Sequence, residues 1–99
     1  MSISAISQQQ FDALGGLDSC RSQWPRDSET DWYADSSGKL IGVILFDGVN
    51  DCWSFIFCER VSRDKFTRRG VGTNFKHVTH AEKDLVTAME RHLAKLQRG

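Results

Sequence analysis

The spacing of apolar and polar positions changes along the chain, and each change marks an element. Ser7 stands ahead of a helical pattern with Gln10 three residues later, the arrangement of a capping box. Ile6 and Phe11 flank it at the spacing of a hydrophobic staple. Gly15, with Gly16 behind it, supplies a left-handed stop, which predicts a short helix over about 7–15. Residues 18–30 are dominated by Asp, Ser and Pro25 and read as a loop, with Trp24 as a plug over a core edge.

From Asp31 the period becomes two. Strands are expected over about 31–35, 39–47, 52–61 and 65–75. The turns between them carry Asp35-Ser-Ser-Gly38, Asp47-Gly48 and Ser62-Arg-Asp64. The fourth strand is polar and interrupted by Gly70 and Gly72, which makes it an edge strand. The last segment returns to a period of 3.6. Ala81, Leu85, Ala88, Met89, His92, Leu93 and Leu96 form one stripe, and Thr79 with Glu82 forms a second capping box, so a helix is expected over about 80–97. Lys95 and Arg98 suit its C-terminal end.

The strand links are too short for parallel crossovers. The expected fold is therefore α+β: a two-layer sandwich with an antiparallel meander of three or four strands, an N-terminal and a C-terminal helix. A chain of 99 residues supports one such domain.

Both faces of the central strands are apolar. Trp53, Phe55 and Phe57 share one face of the third strand, and Cys52, Ser54, Ile56 and Cys58 share the other. If both helices cover one face, the other is either closed by the Trp24 loop or offered to a partner. On the second alternative, Trp53, Phe55 and Phe57 are the candidate apolar binding residues, for another protein or a second copy.

Charge divides the chain. Thirteen Lys and Arg balance thirteen Asp and Glu, yet residues 1–58 hold eight acids and three bases, and residues 59–99 hold five acids and ten bases. The bases are densest at Arg60, Arg63, Lys65, Arg68 and Arg69. Two readings stand beside each other: an anion or nucleic-acid surface, or charges that keep an edge strand from aggregating.

Candidate chemistry is sparse. His77 and His80 lack further ligands at metal spacing, so neither metal nor cofactor is expected. There is no nucleophile elbow and no phosphate loop, and a chain this short has little room for a pocket of about 300 Å³. The reading is a non-enzyme. Residues 1–7 show no signal-peptide pattern, no apolar run is long enough for a membrane, and Cys20, Cys52 and Cys58 form no Cys-x-x-Cys pair. A cytoplasmic protein is expected.

Two resemblances add to this. Helix, meander, helix is similar in topology to the double-stranded-RNA-binding domain, and Gly70-Val-Gly72-Thr-Asn before the last helix is like its final loop. Where that family grips phosphates with lysines, this helix start carries His77, His80 and Lys83, so the resemblance implies shared architecture alone. Over two-thirds of the chain, Trp32-Tyr33-Ala34-Asp35, Gly38, Leu40 to Ile44, Asp47 and Asp51-Cys-Trp53 resemble a group of small uncharacterised bacterial proteins of plasmids and mobile elements. Arg63-Asp64, Phe66 and Thr79 to Ala81 extend the match. The resemblance implies a fold and an origin, with no activity attached. The function expected is that of a binding protein, either a protein-interaction module or inhibitor, or a nucleic-acid-binding accessory protein.

Overall fold

The computed structural model describes residues 3–15, 21 and 29–98. In chain order the elements are β1 (Ile3–Ile6), α1 (Gln8–Asp12), β2 (Glu29–Asp35), β3 (Leu40–Asp47), β4 (Cys52–Ser62), β5 (Lys65–Phe75) and α2 (Val78–Arg98). The strands form one antiparallel sheet in the order β1-β2-β3-β4-β5. The α+β meander expected from the sequence is the observed architecture, with a fifth strand added at its N-terminal edge. Four residues, two of them Ser4 and Ala5, are too few to declare a period. Pairing with β2 is what makes β1 a strand.

The alternation in β3 and β4 sorts side chains to two cores. Leu40, Ile44, Phe55 and Phe57 meet Ala81, Leu85, Met89 and Leu93 of α2. Gly42 lets that helix approach, since a Cβ there would lie 2.7 Å from Met89 Sδ and 3.0 Å from Leu85. On the opposite face Ile41, Val43, Leu45, Ile56, Cys58 and Phe66 pack with Phe11 of α1. The long helix and the sheet make the two-layer unit, and Phe11 of α1 packs on the second face instead of sharing the first. Buried Arg21 helps to hold it there. Its guanidinium bridges Asp12 at 2.9 Å and Glu29 at 2.6 Å and lies 4.8 Å over the Phe11 ring.

Local signals have mixed outcomes. The Ser7–Gln10 capping box forms, with Ser7 Oγ accepting from Gln10 N at 3.0 Å and Gln10 Oε1 accepting from Ser7 N at 2.8 Å. Ser7→Ala should cost about 1 kcal/mol in urea denaturation. Gly15 is not left-handed: α1 stops at Asp12, with Ala13 as its cap at φ −77°. Thr79 does not cap α2, which starts at Val78 with the His77 carbonyl accepting from His80 N and Ala81 N, so Thr79 lies inside the first turn. The Asp35 turn closes as expected. Buried Asp35 accepts from Leu40 N at 2.7 Å and from Ser37, and Gly38 takes φ +74°. Trp24 and Cys20 lie outside the described residues.

Candidate binding surface: the β4–β5 hairpin and its edge

The two candidate surfaces meet different fates. Phe55 and Phe57 are 6% and 5% exposed and belong to the core beneath α2. They are core residues, not the binding residues expected from the sequence. The stripe of α2 must cover an apolar sheet face, and this is the face it covers. Trp53, at the end of the same row, is half-buried and packs with Phe46 at a ring-centroid distance of 4.8 Å. No apolar face of the central strands is left over for a partner.

The basic hairpin stays at the surface, and its cations divide by role. Arg60 lies 4.3 Å over the Phe66 ring and donates to the Arg63 carbonyl, which braces the turn. Arg69 donates to Glu59 at 2.9 Å. Arg63, Lys65 and Arg68 are exposed, and none of them has a carboxylate partner among the described residues. Three of the five predicted basic residues are therefore available to a ligand, and two hold the hairpin.

Glu59 organises this end of the sheet and was not singled out from the sequence. It is 7% exposed on β4. Its Oε1 meets Arg69 Nε at 2.9 Å and His92 Nε2 at 2.8 Å, and its Oε2 lies 3.8 Å from Lys39 Nζ. The signal available was an acid continuing the row of Trp53, Phe55 and Phe57 into the core. Burial pushes its pKa up, but the hydrogen bonds and charges of His92 and Arg69 outweigh burial and hold it below the ordinary carboxylate value. A depressed folded-state pKa adds stability above the unfolded value of about 4.3, and that contribution is lost as pH falls through the folded value. Wild type should therefore lose more stability than Glu59→Gln between neutral pH and about pH 3, in urea titrations at each pH.

Elsewhere the chemistry is limited. Asn50, Asp51, Cys52, Asn74 and Lys76 line an open polar hollow of about 410 Å³ at the far end of β5, larger than the chain length suggested. Asp51 at φ 51° and Asn74 at φ 67° give it left-handed corners. Tyr33 is pushed up to about 12, by burial first and then by Glu82 and Asp31, so its hydroxyl stays protonated. The His77 and His80 rings meet edge to face at 5.4 Å. Among the described residues no group of three or more His, Cys, Asp or Glu side chains could hold a metal ion, and no helix is long and apolar enough to cross a membrane. No family model, curated protein or solved structure matches the chain.

Proposed function

We propose that this protein acts by binding and not by catalysis, and that its docking surface is the β4–β5 hairpin with the outer edge of β5. The partner on this reading is another protein carrying negative charge. One observation carries it: Arg63, Lys65 and Arg68 are exposed on the outermost hairpin, with no acid paired to them among the described residues, while the apolar rows of both sheet faces are buried in the chain's own two cores. A cytoplasmic setting fits the free thiols of Cys52 and buried Cys58. An origin among small bacterial mobile-element proteins belongs to the same reading and rests on the Trp-Tyr-Ala-Asp hairpin.

The same unpaired cations favour a second reading, binding of nucleic acid. Nuclease separates the two, and salt gives the size of the effect on duplex DNA. Three phosphate contacts on duplex DNA give a log–log slope of about −2.7, so raising salt from 50 to 200 mM should weaken binding on the order of 40-fold. The test is a pull-down with the triple variant Arg63→Glu, Lys65→Glu, Arg68→Glu beside wild type, with and without nuclease. The main reading predicts a nuclease-resistant acidic protein held by wild type and lost by the variant. Loss of the captured material on nuclease treatment would transfer the surface to nucleic acid. Equal capture by variant and wild type would refute both.

A further inference from the structure

The two edges of the sheet are unlike. β1 is four residues long and uncharged, and β5 is eleven residues long with three cations. Short edge strands are self-protecting, whereas a long one leaves a row of outward N–H and C=O groups open to pairing. Most of β5 is exposed or half-exposed along its length, with Val71 at 58%.

The register shows what an added strand would meet. Arg68 pairs with Cys58 and Val71 with Ile56, and both of those residues face the α1 core. A bulge absorbs Arg69 between them and lets its side chain turn to Glu59. On the α1 side the edge therefore presents a cation and then an exposed aliphatic, two strand positions apart. On the α2 side Gly70 and Gly72 present no side chains, because the rings of Phe57 and Phe55 lie across them. That flank is low and backbone-rich.

We infer that β5 is a strand-addition site for an extended acidic protein segment, one that places a carboxylate beside Arg68 and an aliphatic side chain two residues away beside Val71. The inference rests on the proposed function and supplies its mode of binding. Charge selects the occupant. From Lys65 to Phe75 the strand has no acid, so β5 of a second copy brings no counter-charge to Arg68. Pairing with β1 of a second copy brings none either, and would generate an open chain of subunits.

The test uses the full-length protein and a fluorescein-labelled twelve-residue peptide of repeating Glu-Thr-Val-Thr, which sets Glu and Val alternately on one face. Two further peptides are N-methylated at alternate backbone amides, one in each phase, which removes edge hydrogen bonds without changing charge. The parent peptide should bind, one methylated peptide should bind at least tenfold more weakly, and amide exchange in β5 should slow on binding. Arg68→Glu should lose the parent peptide at least tenfold and gain a version with Lys in place of Glu. Equal binding of both methylated peptides and the parent would overturn strand addition and leave the basic surface standing. Binding of a DNA duplex but no peptide would overturn it in favour of nucleic acid. Binding of none of these probes would overturn both the inference and the function it rests on.

Discussion

Phe57→Ala is expected to destabilise the fold by about 3–5 kcal/mol, measured by urea denaturation. A domain of this size is stable by only about 5–15 kcal/mol, so the variant should stand near the edge of unfolding at 25 °C. The reason is position. Phe57 lies at the centre of β4 with α2 above it, its ring crosses the backbone of Gly70, and its centroid is 5.7 Å from that of His92. Truncation opens a cavity against two strands and a helix, none of which can close it alone. If Phe57 were instead an interface residue, the alanine variant would keep its urea midpoint and lose only a partner. That outcome would overturn the assignment of this face to α2.

The second large effect is expected at Gly70. An alanine Cβ there would stand 2.1 Å from Phe57 Cε1 and 2.8 Å from Cδ1 and Cζ. Alanine in a strand interior gains about 0.5–1 kcal/mol of backbone preference over glycine. Overpacking of a fixed ring costs about 1–3 kcal/mol and prevails, because His92 and the α2 core limit where the ring can move. Gly70→Ala should therefore lower stability in the wild-type background. In a Phe57→Leu background, where Cε1 and Cζ are gone, the same substitution should cost much less. The difference between the two is the coupling between these positions. Additive effects would mean that Gly70 is set by its backbone and not by the ring.

Both results concern a cross-strand pair that no local pattern reveals. Gly70 and Gly72 mark β5 as a weakened edge strand in the sequence, and β5 is an edge. Their reason is thirteen and seventeen residues away along the chain, in the rings of Phe57 and Phe55, and only register brings them together. The basic hairpin shows the same limit. Arg60, Arg63, Lys65, Arg68 and Arg69 look alike as a run of charge. Pairing to Glu59 and stacking on Phe66 remove Arg69 and Arg60 from the available set. Glu59 itself has a meaning only once His92, thirty-three residues later, arrives on α2.

Local chemistry was sufficient for much of the rest. A period of two bounded by Asp-Gly and Asp-Ser-Ser-Gly turns determines β2 to β5 and their antiparallel order, because links this short allow no other connection. The 3.6-residue stripe determines α2 and the side it buries. The capping box determines where α1 begins. The tertiary structure alone decided which helix covers which face, and with it the reassignment of Phe55 and Phe57 from surface to core. An amphipathic helix and a two-sided apolar sheet each state that they must bury area, but burial is non-directional and either face meets the demand equally. The choice is made by long-range complementarity, where Gly42 opens a seat for Leu85 and Met89 on one face and Phe11, under Arg21, packs into the other.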